Sequence, residues 1–342
     1  MCSCRPPIIS SGSASAPISG IATWNRTPDI FFVEPIGDRY FCRALSRSTA
    51  YAAALSPVAR LREYAVLFKL RLASLVVVSA VFGYLLGVPE GAFSWLSLIL
   101  LTLGGTLLTG SSNALNQVLE IREDGLMSRT ADRPLVKNSI GHAEAVTVAF
   151  AAGALGTFLL WSRFGPLTGL LGFLSLFMYV ALYTPMKKHS PWAVFVGAFP
   201  GAFPPMLGYV AATGTFGLAP GLVFATQFVW QFPHFWAIAW VLHDDYSKAG
   251  YFLLPSRNGR DRSSAFLIFL YTLFVIPVGM LPWVFGLTGP ISMVVAVVAG
   301  TMMLIPAWKL LFTHDKAEAR RLMFASFIYL PVVQLAYVLD RI

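Results

Sequence analysis

Asn116, Glu120 and Asp124 stand four residues apart at the end of an apolar run long enough to cross a membrane. On a continuing helix each lies about 40° round from the last, so one amide and two carboxylates share a face. The stretch from Asn116 to Leu135 carries seven ionisable side chains: Glu120, Arg122, Glu123, Asp124, Arg129, Asp132 and Arg133. Ionisable groups at a bilayer edge are costly to dehydrate, and a dense mixed-sign cluster there marks a site. Oxygen donors suit Mg²⁺, which is held by one or two carboxylates together with the phosphates of a substrate. Arg129 and Arg133 follow the acids, and Lys187 and Lys188 close a later apolar run. Arg presents a bidentate fork to phosphate oxygens and Lys a point charge. The combination points to a diphosphate bridged by metal to the acids and clamped by the bases. On spacing alone, pairing of these charges with one another and with lipid head groups competes with that chemistry.

A second acidic cluster, His243, Asp244 and Asp245, ends a later helix on the same expected membrane face. Two acidic clusters at matching depth suggest a two-centred metal site, with a surface pair between Asp245 and Lys248 as the plainer alternative. Just upstream, Gln231 and His234 interrupt an apolar helix that Pro233 should kink. His234 reads either as a satisfied hydrogen bonder between helices or as an iron ligand, acid or base toward a bound acceptor. Gly197, Gly201 and Gly208 permit close helix approach. The Pro204–Pro205 pair beside them predicts a helix break at a cavity.

These residues need a scaffold, and the composition names its solvent. Of 342 residues 56% are hydrophobic and only 12% charged, against about 25% charged in a soluble globule. The chain reads as an all-α polytopic membrane protein. Stretches near the roughly 20 residues needed to span run over 65–87, 93–118, 142–162, 165–185, 191–213, 219–242, 263–286, 288–312 and 321–340. That predicts nine helices. The connections after the second, fourth, sixth and eighth hold nearly all the Lys and Arg, while the opposite loops hold only Arg163. Basic short loops stay inside, so the amino terminus is expected in the cytoplasm. The net charge of +9 then sits mainly on one membrane face, where it sets topology and meets anionic lipid. Nothing in its pattern supports nucleic-acid binding.

Residues 1–60 differ: Ser-, Ala- and Pro-containing, with scattered Arg and no periodic apolar run, they read as a disordered or loosely attached tail before a membrane domain over 61–342. A mitochondrial transit peptide is the alternative, against which stand Asp29, Glu34 and Asp38. Cys2, Cys4 and Cys42 all fall in this tail and receive no role.

The run NALNQVLEIREDGLMSRTADRPLV, residues 113–136, resembles the first acidic motif of the UbiA-type intramembrane prenyltransferases, and its MSRTADRPL part is similar to the protohaem IX farnesyltransferase (haem O synthase) branch. YTPMKKHSP, GAFPPMLGY and WQFPHFWAIAWVLHDDYSKAG follow in the same order. The resemblance implies a fold of nine transmembrane helices around a central cavity. It implies that Asn116, Glu120 and Asp124, with Asp245 opposite, hold Mg²⁺ on farnesyl diphosphate, and that Arg129, Arg133, Lys187 and Lys188 clamp the diphosphate. Lys69 and Arg71 match a basic pair at the start of the first helix, read either as further diphosphate ligands or as topology-setting charge. Gln231, His234 and Tyr183 fall on the acceptor side. Farnesyl diphosphate, haem b, membrane lipid and a haem A synthase are the implied partners. A bacterial inner membrane is the implied location and a mitochondrial inner membrane the alternative. The sequence departs from the pattern at Glu120, where Asp is commoner, and at Val241, where a second acid is absent. An enzyme alkylating a quinone precursor or other aromatic acceptor, a CDP-alcohol phosphotransferase and a transporter remain as rival readings.

Overall fold

Hydrocarbon leaves no water for unpaired backbone groups, so a spanning chain must close its hydrogen bonds within helices or a barrel. The computed structural model describes residues 56–342, which fold as helices with no strand among them. The expectations placed on the tail up to residue 55, its three cysteines included, lie outside the described residues. In chain order the helices are α1 Pro57–Leu67, α2 Leu70–Gly87, α3 Trp95–Leu119, α4 Ile121–Leu126, α5 His142–Phe164, α6 Pro166–Met186, α7 Ala193–Thr213, α8 Leu218–Val241, α9 His243–Lys248, α10 Arg262–Val284, α11 Pro290–Thr313 and α12 Lys316–Leu339. Outward faces are apolar, as at Phe158 and Ile328, both more than half exposed, which suits lipid.

Among the described residues eight helices are long and apolar enough to span a membrane. The ninth expected span corresponds to α8, which has the length, 24 residues, but dilutes its hydropathy with polar side chains. Three of them, Gln227, Trp230 and Gln231, are satisfied by neighbouring helices. Gln227 donates to Gly201 O at 2.6 Å and accepts from Gln334 at 2.8 Å. Gln231 donates to Ala198 O at 3.0 Å, and Trp230 donates to Ser326 O at 3.0 Å. A helix enclosed by others can carry such groups where a lipid-facing one cannot.

The predicted break at Pro204–Pro205 does not occur; α7 runs unbroken through Pro200, Pro204 and Pro205. The two prolines remove the N–H groups that would bond Pro200 O and Gly201 O. Ser175 Oγ reaches the first carbonyl at 3.2 Å and Gln227 the second at 2.6 Å. The neighbours supply the missing donors, which is why the helix persists. α7 also lies backbone to backbone on α2: a Cβ at Gly83 would strike Pro205 O, and one at Gly208 would strike Ala80 O.

The first expected helix, 65–87, is instead two. Phe68 ends α1 and Lys69 adopts a left-handed φ of 49° before α2 starts, although no Gly or Pro marks the place. α3 imposes the break: Gln117 Nε2 donates to Leu67 O at 2.7 Å and Asn113 Nδ2 to Phe68 O at 3.3 Å. α1 begins at Pro57, inside the stretch expected as tail, and Arg60 ties it to Glu144 of α5 at 2.6 Å.

Candidate active site

α3 delivers Asn116 and Glu120, and α4 delivers Asp124. The helix axis bends at Glu120, with φ −113°, yet the four-residue bonds continue, Glu120 N to Asn116 O at 3.1 Å and Asp124 N to Glu120 O at 2.8 Å. The three side chains therefore stay on one side and all are buried. Asn116 Nδ2 donates to Glu120 Oε2 at 2.9 Å and to Thr184 Oγ1 at 3.2 Å. Lys187 Nζ lies 2.5 Å from Glu120 Oε1. Arg133 pairs with Asp124 Oδ2. Lys69, turned inward by its left-handed backbone, donates to Asn116 Oδ1 at 3.4 Å.

Three expected cations thus meet the three oxygen-bearing residues, and the other three stand outside. Lys188 is exposed and pairs with Glu123 at 2.7 Å. Arg129 is exposed, its guanidinium 5.8 Å above the Tyr246 ring. Arg71 is exposed on α2. Asp245 reaches the loop after Asp124, accepting from Ser128 N at 3.1 Å and Ser128 Oγ at 3.0 Å, and pairs with Lys248 at 3.2 Å. Asp244 turns away to Arg260 at 3.0 Å. Among the described residues no three His, Cys, Asp or Glu side chains converge.

Burial of so much charge is expensive unless paired and hydrogen-bonded. The cost shows in the titration of groups outside the spans. Burial raises the Asp124 pKa, and Arg133 offsets only part of that. Burial lowers that of Lys187 against the pull of Glu120. Lys69 is pulled down to about 7, by burial first and then by the neighbouring Arg133 and Lys187 charges. Asp124 Oδ1 is buried with no hydrogen-bond partner, and Glu120 Oε1 meets only the Lys187 charge. A carboxylate oxygen left free beside Glu120 and the Asn116 amide is a donor set that fits a hard divalent cation.

Sequence reasoning named Tyr183 but passed over Tyr251 in the aromatic wall of this cluster. Lys187 Nζ sits 5.0 Å from the Tyr183 ring centre and 5.4 Å from that of Tyr251. The Tyr251 hydroxyl is buried without a partner, and burial pushes its pKa up. Thr184 was missed as well. The available signal was the clustering of Tyr246 and Tyr251 around the second acidic motif. Tyr183 rests on Gly197, whose Cβ would come 2.6 Å from the ring. Of the residues expected near an acceptor, Tyr183 alone joins the cluster. His234 Nδ1 bonds Ser326 Oγ of α12 at 2.7 Å and stacks on Trp230 at 4.5 Å, the arrangement of a hydrogen bonder between helices. Gln231 is turned toward α7.

From the cluster an apolar cavity runs into the bundle between α2, α3, α6 and α7. Asn113 and Tyr179 line it one turn from Asn116 and Tyr183, and Leu108, Leu160 and Leu207 line it deeper in. A pocket of buried acids and bases opening onto an apolar channel suits a substrate with a charged head and a long apolar tail.

The described fold and the sequence agree with known proteins. The chain belongs to the UbiA prenyltransferase family, whose profile matches residues 76–330, and it is an integral membrane protein. It is 45% identical over 282 residues to the Protoheme IX farnesyltransferase of Cytophaga hutchinsonii, covering 82% of this chain and 98% of that one. The Protoheme IX farnesyltransferase of Christiangramia forsetii is 45% identical over 286 residues, covering 82% of this chain and 94% of the relative. Among solved structures, a digeranylgeranylglyceryl phosphate synthase superposes with a TM-score of 0.69 at 16% identity, over 82% of this chain and 98% of its own. A UbiA homologue from Archaeoglobus fulgidus, bound to GPP and Mg²⁺, superposes with a TM-score of 0.62 at 13% identity, over 81% of this chain and 99% of its own. At such identities the two structures speak for the fold.

Proposed function

We infer that this protein transfers the farnesyl group of farnesyl diphosphate to a vinyl group of protohaem IX, giving haem O. The observation that carries this is the 45% identity to a Protoheme IX farnesyltransferase over 98% of that relative's length. The buried acid–base cluster and its apolar channel supply the physical support. Asp124, Glu120 and Asn116 would hold Mg²⁺, with Asp245 in reserve on the loop side. Bound there, the metal supplies charge stabilisation to the departing diphosphate.

The side chains do the rest. Arg133 and Lys187 are now paired with Asp124 and Glu120; they would turn to the phosphate oxygens of an entering diphosphate, which would leave the two acids free to hold the metal. Lys69 adds a third cation at the mouth. The channel takes the isoprenoid chain and excludes water from the allylic carbon, where stray solvent would quench a cation. As the carbon–oxygen bond breaks, the electron pair leaves with the diphosphate that the bases hold. The vinyl group then bonds the allylic carbon through its terminal carbon. Water adds to the adjacent carbon with loss of a proton, which completes the hydroxyethyl group. Tyr183 and Tyr251 flank Lys187, and their ring faces favour positive charge.

The basic loops support a cytoplasmic site, and the reading extends to a bacterial inner membrane, a membrane domain following the tail and a haem A synthase as consumer of the product. Purified protein in detergent, given haem b, farnesyl diphosphate and Mg²⁺, should form a farnesylhydroxyethyl haem by mass, and chelation should stop it. Prenylation of an aromatic acid in place of haem would overturn the acceptor while sparing the donor site.

Titration of Lys69 sets a further expectation. With its pKa near 7 it is charged below neutral pH and uncharged above, so kcat/KM for the donor should fall as pH rises through about 7. Lys69→Arg, which stays charged, should flatten that limb. An equal fall in both enzymes would assign the titration elsewhere.

A further inference from the structure

Tyr251 is brought to the acid cluster by its backbone. α9 ends in a Schellman turn: Gly250 takes a left-handed φ of 72°, its N–H donates to Ser247 O at 3.1 Å, and Tyr251 N donates to Tyr246 O at 3.0 Å. The Tyr246 and Tyr251 rings pack 6.3 Å apart across that turn. Near its start α9 is tied to the loop after Asp124 through Asp245 and Ser128. The Tyr251 ring centre lies 5.4 Å from Lys187 Nζ, itself 2.5 Å from Glu120 Oε1.

The hydroxyl so placed has no partner. Tyr251 is 2% exposed, and its Oη makes no hydrogen bond. Buried hydroxyls are nearly always bonded, and one left alone costs stability. Burial first and the neighbouring Glu120 charge second raise its pKa, so it stays a protonated donor at neutral pH. Beside it, Glu120 is held unevenly. Asn116 Nδ2 donates to Oε2 at 2.9 Å, whereas Oε1 meets only the Lys187 charge. Once Lys187 turns to a phosphate, Oε1 is left with no protein partner. Glu also has one more rotatable bond than Asp, and a carboxylate on a longer stem has more freedom to lose on holding a metal.

We propose that Tyr251 is a positioning residue for Glu120: when Lys187 leaves for the diphosphate, the Tyr251 hydroxyl donates to Glu120 Oε1 and fixes the carboxylate for the metal. The inference rests on the reading of the cluster as a metal–diphosphate site and is independent of the acceptor. Hydrogen bonds to a ligating carboxylate orient it and tune its hold on a metal. In the resting protein the hydroxyl is a cost to the fold; in the loaded protein it replaces the contact that Lys187 gives up.

Tyr251→Phe keeps the ring beside Lys187 and removes only the hydroxyl. Without Mg²⁺ or donor, its unfolding temperature in detergent should equal or exceed that of wild type, because only an unbonded buried hydroxyl is lost. Mg²⁺ with inorganic diphosphate should raise the unfolding temperature of wild type, and that of the variant by clearly less. Farnesyl transfer should fall about ten- to hundredfold in kcat, the scale of one hydrogen bond to a charged group, with KM for haem b unchanged. The Glu120→Asp background identifies the partner: the shorter acid draws back from Tyr251, so adding Tyr251→Phe there should cost no more than about twofold. A lowered unfolding temperature for the metal-free variant would give the hydroxyl a structural partner and overturn the proposal. So would the same fold loss in both backgrounds, which would put the hydroxyl on the substrate, or a single variant that matches wild type in activity and in its diphosphate shift. No shift in the wild type would remove the metal–diphosphate site and this role with it. If the wild type shifted but did not farnesylate haem, the proposed reaction would fall, and the shifts would still decide the role of Tyr251.

Discussion

Asp124→Asn should yield a folded protein whose farnesyl transfer is reduced by about 10²–10³-fold in kcat, the scale of losing one electrostatic group aimed at a transition state. The substitution keeps the size of the side chain and removes one charge. It leaves the Oδ1 position, which now has no hydrogen-bond partner, unable to offer a carboxylate to a cation. Arg133 loses its ionic partner and is left free to bind diphosphate, so donor affinity should change less than turnover. Stability should fall, because burial raises the Asp124 pKa only against the offsetting pull of Arg133, and removing one partner of a buried ion pair leaves the other charge uncompensated, at a cost of about 3–5 kcal/mol. The expected signature is therefore a lowered unfolding temperature with a folded fraction retained, a large fall in haem O formed per minute by that fraction, and a rise in the Mg²⁺ concentration giving half-maximal rate. Activity within a few fold of wild type at the wild-type Mg²⁺ requirement would remove Asp124 from the metal site and leave it as a partner of Arg133.

Gly208→Ala should be the most damaging single methyl in the molecule. The added Cβ would overlap Ala80 O and stand 2.8 Å from Tyr84 N, both backbone, so no rotamer change relieves it. Overpacking in cores usually costs about 1–3 kcal/mol, and a collision of two backbones belongs at or above the top of that range. α7 cannot yield alone, because its Pro-freed carbonyls are held by Ser175 and Gln227. Moving α7 from α2 would also disturb Gly197 beneath Tyr183 and so the wall beside Lys187. Thermal unfolding in detergent should show a drop of several degrees or no folded fraction at all. Gly221→Ala is the matched control: its Cβ would meet nothing within 4 Å, and the exchange should leave stability unchanged or slightly raised, since Ala is the better helix former. Equal behaviour of the two variants would show that α2 and α7 are not locked together.

The sequence by itself determined the solvent, the helical class and the chemistry of the cluster. Apolar runs of spanning length follow directly from the cost of exposing polar backbone to hydrocarbon, and their number and order along the chain needed no tertiary information. The four-residue spacing of Asn116, Glu120 and Asp124 likewise survives in the structure because local hydrogen bonds bridge the bend at Glu120. Lys187 carried a legible signal, a cation at the end of a span.

Tertiary contacts decided the rest, because each depended on donors or volumes supplied from far along the chain. The break before α2 has no local cause; it arises from Gln117 and Asn113, about 45 to 50 residues away, and it alone turns Lys69 toward Asn116. The opposite error came at Pro204–Pro205, where the local rule demands a break and remote side chains prevent it. Spacing could not sort six candidate cations into the three that reach the acids and the three that face outward, since burial is fixed by how helices pack. The polar residues of α8 looked like chemistry in the sequence. Only the packing of α7 and α12 around them, with every buried amide given a partner, shows that most of them hold the bundle together.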